Sequence, residues 1–435
     1  MNLRYFLLGL IVPAMMIGCQ KPDTPQEDPT PEPPVEKPDT PVTPTPEPEI
    51  QLAPEIKSGD CVLAPNKYAE EFVKNVTYAD RDYSYSVVLD YHGGYNGQLA
   101  EGESVNGDKS SEYTIRWEAN EAEGKLQLEL SEQETGWSMT KEITAGSNYV
   151  DVNNLTPNVH YTYKVSSIDN GTVMTEGNFT TYGHIRQVFF KTRVRNGRDM
   201  GGWLTYDGKM VKYHKIYRTG RWESSTMANS GKKAIIAEGI KAQLDLRNTS
   251  DVLDAPAIDG MDFCAPLIET GGDSMLKAEK GDKTRQCMQF IIDCVKADKP
   301  VVYHCSLGRD RTGTLGMIIL GLLDVVEGDI SKEYEVTYFS PRGWSIASSE
   351  TYKTFQNLRT TWAYKPAAEY IWAGKYPNGT YEFNDDKESA DYTPFSVRIE
   401  KYLLDIGISQ EDINTFRELM LTEPYADLTP ATPAE

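Results

Sequence analysis

A cysteine and an arginine stand six positions apart in His304-Cys305-Ser306-Leu307-Gly308-Arg309-Asp310-Arg311-Thr312-Gly313. The apolar run Val301-Val302-Tyr303 enters this string, and a long apolar segment leaves it. That order predicts a strand, a tight glycine-containing loop and a helix N-terminus. Loop N–H groups converging with the positive end of a helix dipole make an anion cradle. A thiol at the lip of such a cradle has its thiolate stabilised and becomes a nucleophile. Arg311 offers a planar fork matched to two phosphate oxygens, a job lysine cannot copy. The chemistry these residues suit is attack of Cys305 on a bound phosphate. The phosphate would rest on Ser306, Leu307, Gly308, Arg309, Arg311 and Thr312, with Gly308 permitting the backbone turn and His304 orienting the loop. The alternative is an inert buried cysteine ahead of a solvated Arg-Asp-Arg turn.

The elements that must hold this loop follow an alternating rhythm from about His184 onward. Gly231–Gly239 is amphipathic through Ile235 and Ile236 and leads into a strand at Ala242–Arg247. A helix over Lys283–Lys296 leads into Val301–Tyr303 and the loop, and the next helix, Thr314–Val326, is apolar nearly all round and so central. Helices over Ser348–Thr360, Ser396–Leu404 and Ser409–Leu421 finish the chain, the last with a cap-like Ser409-Gln410-Glu411-Asp412 start. Asp245 and Arg247 fall at the end of a parallel strand, where open α/β sheets place their ligands, or they form a structural ion pair.

Upstream the pattern differs. After a short helix at Lys67–Val76, strand-like runs at Tyr83–Tyr91, Ser111–Trp117, Lys125–Ser131, Ser138–Ile143, Tyr149–Val152, His160–Ser167 and Thr172–Thr181 are separated by glycine and asparagine turns. Short strands at this spacing predict a β-sandwich over 56–183. An α/β domain over 184–430, with a central mainly parallel sheet flanked by helices, follows it.

The 435-residue chain has room for such an arrangement, and its formal charge of −21 argues against nucleic-acid binding. An anionic substrate must then be drawn by local charge. The stretch Lys191–Arg221, with Arg193, Arg195, Arg198, Lys209, Lys212, Lys215 and Arg218 inside it, reads either as a solvated basic face or as a means of substrate capture. The five histidines are scattered and no Cys-x-x-Cys occurs, so no zinc site is expected, and attack of a thiol on phosphate needs no metal or organic cofactor. Cys287 and Cys294 lie on one face of their helix and read as core.

At the N-terminus an apolar run from Tyr5 ends in Met16-Ile17-Gly18-Cys19. It is too short for an ordinary membrane span and resembles the lipobox of bacterial lipoproteins. That resemblance implies a signal peptide over 1–18, lipid attachment at Cys19, and a bacterial, membrane-anchored, extracytoplasmic location, periplasmic or cell-surface. Residues 19–55 are dominated by Pro, Thr, Glu and Asp and read as an extended tether.

The loop string resembles the active-site loop of the cysteine-dependent protein tyrosine phosphatase superfamily. Arg195-Asn196-Gly197-Arg198-Asp199-Met200-Gly201-Gly202-Trp203, Ile216–Gly220, Leu244–Arg247 and Tyr402–Ser409 resemble, in order, further blocks of one bacterial branch. The resemblance implies a metal-independent phosphatase with a cysteinyl-phosphate intermediate, acting on phosphotyrosine in proteins, or alternatively on inositol phosphates or phosphoinositides. A silent surface-binding lipoprotein on the same scaffold is a further alternative. No Trp-Pro-Asp tripeptide occurs. The branch instead carries an aspartate inside the loop, which implies Asp310 as general acid; Asp273, after Gly271-Gly272, is its rival. Asp199 enters as a supporting residue through its block. Gly197 replaces the branch's usual aromatic residue, and Arg309 its usual lysine. Leu155-Thr156-Pro157, His160–Val165 and Gly177–Thr181 resemble the closing strands of a fibronectin type III domain, whose partner the sequence leaves open.

Overall fold

The computed structural model describes residues 60–62, 69, 70, 73, 112–118, 124–190, 194, 196–222, 227, 229–248, 254–339 and 364–425. Cys19, the tether, Lys191, Arg193, Arg195, Tyr83–Tyr91 and Ser348–Thr360 lie outside the described residues. Of the Lys67–Val76 stretch, Ala69, Glu70 and Val73 are described, and they are helical.

Apart from that helical stretch, the described elements of the first part are strands. Its strands are β1 (Asp60–Val62), β2 (Glu112–Arg116), β3 (Leu126–Glu132), β4 (Ser138–Ile143), β5 (Tyr149–Asn153), β6 (His160–Ser167) and β7 (Val173–Tyr182). One sheet runs β1-β7-β6-β3-β4, and β2 pairs antiparallel with β5 in a second. Alternate residues point inward, as the two-residue period of a strand requires. Ile115, Val150 and Val152 from the smaller sheet therefore share one core with Leu126, Leu128, Leu130, Tyr161, Val165 and Phe179 from the larger.

The second part is a mixed α/β assembly. Its elements are β8 (Arg198–Asp199), β9 (Met210–Val211), β10 (Ile216–Thr219), α1 (Asn229–Ala237), β11 (Ala242–Asp245), β12 (Asp262–Cys264), α2 (Asp273–Lys277), α3 (Asp282–Lys296), β13 (Val301–His304), α4 (Asp310–Leu322), α5 (Glu327–Glu335), α6 (Tyr364–Ala373), α7 (Phe395–Asp405), α8 (Gln410–Met420) and β14 (Leu421–Thr422). The main sheet is ordered β12-β11-β13-β10-β8. β13 lies at its centre, parallel to β10 and β11, and β8 is an antiparallel edge. Val301 and Tyr303 face one apolar cluster with α3 and α4, whereas Val302 faces another with Phe190, Trp222 and Ile235. Burial on both faces explains why β13 reads as a continuous apolar run.

The structure departs from the sequence reading in a boundary, a buried face and two helices. The central helix begins at Asp310, not Thr314, because the loop passes directly into its first turn. In α1 Ile235 is buried but Ile236 is 59% exposed, since neighbouring residues of a helix point about 100° apart. Helices α5 and α6 were not anticipated at all. The polar stretch of α5, Glu327–Glu335, has Ser331, Glu333 and Glu335 buried.

Buried polar groups join the two parts. His214 Nε2 lies 2.8 Å from Glu132 Oε2, and the Tyr161 hydroxyl donates to Glu132 Oε1 at 2.5 Å. Arg186 reaches Asp199, Glu238 and the Asn154 carbonyl. Burial would raise the Glu132 pKa, but His214 and Arg186 overcome it and hold the carboxyl down at about 2. Asp199 belongs to this junction: its oxygens accept from Arg186 and from the N–H groups of His214 and Gly201, none of which belongs to the 304–313 loop.

Candidate active site

The loop leaves the centre of the sheet, so it starts from the most constrained strand. Gly308 has φ +68°, and a Cβ there would stand 2.4 Å from the Thr219 carbonyl oxygen. Only glycine combines that dihedral with that approach. Among the described residues, the N–H groups of Ser306, Leu307 and Gly308 have no hydrogen-bond partner. They precede the N-terminus of α4, so unpaired donors and the helix dipole fall together.

Cys305 is buried at the foot of this loop. Burial pushes its thiol up, but Arg311, the Thr312 hydroxyl and the Thr312 N–H outweigh burial and leave the pKa below the usual thiol value. The Thr312 hydroxyl is itself buried and has no oxygen or nitrogen partner among the described residues. Three other cysteines shift the opposite way. Burial raises Cys264, carries Cys287 well above the ordinary range and pushes Cys294 up to about 12. Thr312→Val is therefore expected to move the pH midpoint of Cys305 alkylation by iodoacetamide upward, because the thiolate loses a donor. An unchanged midpoint would exclude that role for the hydroxyl.

Arg311 is aimed by two main-chain acceptors. Its Nη1 donates to the carbonyls of Leu246 at 3.1 Å and Ile268 at 2.7 Å, which leaves the Nε–Nη2 edge toward the loop. Nη2 lies 3.5 Å from Ser306 Oγ. Leu246 is held in turn by its N–H to the His304 carbonyl at 2.8 Å. Asp245 and Arg247 form a buried bidentate pair, with Arg247 Nη2 at 2.7 Å and Nε at 2.9 Å from the carboxylate. They brace the turn that carries Leu246.

His304 is kept neutral: burial drives its pKa down to about 4 against the opposing pull of Asp245. Its tautomer follows from its partners. The Ala257 N–H donates to Gln243 Oε1 at 2.7 Å, so the Gln243 amide nitrogen faces His304 Nε2, at 2.9 Å. Nε2 is then the acceptor, and Nδ1–H points to the Cys305 carbonyl at 3.3 Å. Gln243 was not singled out in the sequence; only the register of β11 beside β13 brings it there.

Of the basic stretch, two residues are turned inward, whereas Lys209 and Arg221 are exposed. Arg198 and Arg218 are buried beneath the loop, sharing Glu333 of α5. Arg218 donates to the Gly308 carbonyl at 2.6 Å, and Asn196 Nδ2 does so at 2.8 Å. Thr337 Oγ1 accepts from both Asn196 and Arg198. Burial raises the Glu333 pKa less than Arg218 and Arg198 lower it, so it stays ionised. Two guanidinium groups against one carboxylate leave one positive charge under the cradle. The unusual Gly197 fits here, because a Cβ would lie 2.3 Å from the Val188 carbonyl oxygen.

Asp310 opens α4. Arg309 meets both of its oxygens, Nε at 3.0 Å from each and Nη2 at 2.8 Å from Oδ2, and the Tyr334 hydroxyl donates to Oδ1 at 3.1 Å. Asp273 is instead half-exposed and paired with Lys277 at 2.8 Å. Leu307 is exposed at the mouth. Among the described residues, no group of three or more His, Cys, Asp or Glu converges as a metal site.

The profile of the tyrosine phosphatase family matches residues 191–422 of this chain. A provisionally named tyrosine-protein phosphatase of Cupriavidus necator is 23% identical over 164 residues. The match takes in 32% of this chain and 59% of that relative's length. The crystal structure of Tk-PTP in the active form aligns with 36% of the chain and 99% of its own, at 14% identity and a TM-score of 0.22.

Proposed function

The chain belongs to the tyrosine phosphatase family, and from that premise we propose that it hydrolyses phosphomonoesters through a cysteinyl-phosphate intermediate on Cys305, with phosphotyrosine in proteins as substrate. The observation that carries this reading is the Cys305 thiol, lowered in pKa while Cys264, Cys287 and Cys294 are raised, beneath three loop N–H groups unpaired among the described residues.

The Cys305 thiolate attacks phosphorus, the P–O ester bond breaks, and protonated Asp310 gives its proton to the departing oxygen. Water then attacks the phosphocysteine, the S–P bond breaks, and the Asp310 carboxylate takes the water's proton as inorganic phosphate leaves. Through both steps the Nε–Nη2 edge of Arg311 and the loop N–H groups hold the equatorial oxygens. No step is routed through a metal, so turnover that survives chelation is part of the expected result.

Protein phosphotyrosine is favoured over inositol polyphosphates by the placement of Arg309. Its guanidinium is turned onto Asp310 rather than offered as a second phosphate cation. The test compares phosphate release from phosphotyrosine peptides and from inositol phosphates by the full chain. Faster release from inositol phosphates would reverse the assignment. For the acid, Asp310→Asn is expected to lose about 10²-fold or more in turnover, the usual contribution of a positioned proton donor, and Asp273→Asn little. The opposite ranking would make Asp273 the acid.

The proposal extends to the rest of the chain. The strand order β4-β3-β6-β7 facing the β2–β5 pair supports a fibronectin III-like sandwich ahead of a cysteine-phosphatase fold. A lipid on Cys19 would hold both outside the cytoplasm at a bacterial membrane, and mass spectrometry of the mature N-terminus tests it.

A further inference from the structure

We infer that Tyr334 is a positioning residue for proton transfer, one that sets the Asp310 carboxylate against the leaving group. The inference rests on the reading of Asp310 as general acid. Three observations carry it. First, Tyr334 is buried, yet its hydroxyl emerges at Asp310, which is only part-buried, and donates to Oδ1 at 3.1 Å. A buried phenol that reaches a carboxylate at the rim of the loop constrains that carboxylate more than it contributes to the core.

Second, the ring has a dedicated seat. It crosses the first turn of α4 at Gly313, where a Cβ would stand 2.1 Å from the Tyr334 ring. Any side chain at position 313 would push the ring away and lift the hydroxyl off Asp310. The Tyr364 ring backs it from α6, with centroids 5.5 Å apart.

Third, the seat is anchored. The preceding residue, Glu333, is the carboxylate that holds Arg198 and Arg218 beneath the loop. Successive residues of α5 thus fix the cradle from below and the acid from the side, so the two stay in register.

Arg309 meets both carboxylate oxygens from one side, and the Tyr334 hydroxyl adds a second donor to Oδ1 from another element, so the carboxylate is held from two directions.

The test uses the full chain and two aryl phosphates, 4-nitrophenyl phosphate, whose phenol leaves readily, and phenyl phosphate, whose phenol needs a proton. Tyr334→Phe is expected to lower kcat on phenyl phosphate about tenfold or more, a fraction of a full acid's contribution. It should leave kcat on 4-nitrophenyl phosphate within about twofold, and KM nearly unchanged on both. Combined with Asp310→Asn it should add nothing, since the tyrosine acts through the aspartate. Equal losses on both substrates, or losses that add to those of Asp310→Asn, would show a merely structural tyrosine and overturn the inference while leaving Asp310 as acid. If Asp310→Asn itself treats the two substrates alike, the acid assignment falls, and this inference falls with it. Should Tyr334→Phe melt well below the parent, Gly313→Ala provides the second variant. It keeps the hydroxyl but displaces the ring, and must show the same leaving-group dependence.

Discussion

Cys305→Ser is expected to lower turnover of a phosphotyrosine peptide by about 10⁴-fold or more, since a reaction split into two covalent steps loses both when its nucleophile is removed. The reason lies in the ionisation of the side chain. The loop is built to stabilise a thiolate: Arg311 and both donors of Thr312 overcome the cost of burial. A serine hydroxyl in the same place stays protonated, because no comparable shift could bring it near neutral pH. Phosphate binding should survive, for Arg311 is aimed by the Leu246 and Ile268 carbonyls and the amides by Gly308, none of which involve the sulfur. The check is kcat beside peptide affinity measured by calorimetry. Turnover within about tenfold of the parent would exclude Cys305 as the nucleophile.

Glu333→Ala carries the largest expected effect on stability, about 3–5 kcal/mol, the range for removing one partner of a buried ion pair. The substitution leaves Arg198 and Arg218 buried, close together and without their shared counter-charge. Burial already pulls the Arg198 pKa down to about 10, with Glu333 opposing that and Arg218 adding to it. Without the carboxylate one guanidinium must find water, and a shift of Arg218 toward solvent would loosen its bond to the Gly308 carbonyl. Activity should fall with stability because the cradle loses its floor. Denaturant unfolding of the parent and variant measures the difference. A loss under about 1 kcal/mol, the size of an exposed pair, would mean the triad is hydrated.

The parts of this fold that are legible in one dimension are those whose physics is local. Val301–Val302–Tyr303 reads as a buried strand because both faces are apolar, and Ser409 reads as a cap because its hydroxyl needs only the Asp412 N–H, 3.1 Å away. The start of α4 was misplaced because residues 310–313 look like a polar turn, whereas the helix absorbs them. Helix α5 was missed for a related reason: Glu333 is solvated in any local reading and is buried against arginines more than a hundred residues away.

The candidate site divides in the same way. The sequence by itself determined the proposed reacting set: a thiol, an arginine fork, a glycine that can turn and a carboxylate, within seven consecutive positions, entering a helix. Proximity along the chain guarantees proximity in space at that scale, so no fold was needed to see it. Only the tertiary structure decided what holds the set in place. It put Gln243 behind His304, Asn196 and Arg218 under Gly308, Glu333 between two arginines, and Tyr334 on Asp310. The sequence carries no local sign of these contacts, because each pairs residues brought together by strand register or helix packing rather than by spacing. The physical reason is the loop's own incompleteness. Unpaired amides and a stabilised thiolate are costly to hold in one geometry, and a ten-residue string cannot supply the buried charges and hydrogen bonds that offset the cost.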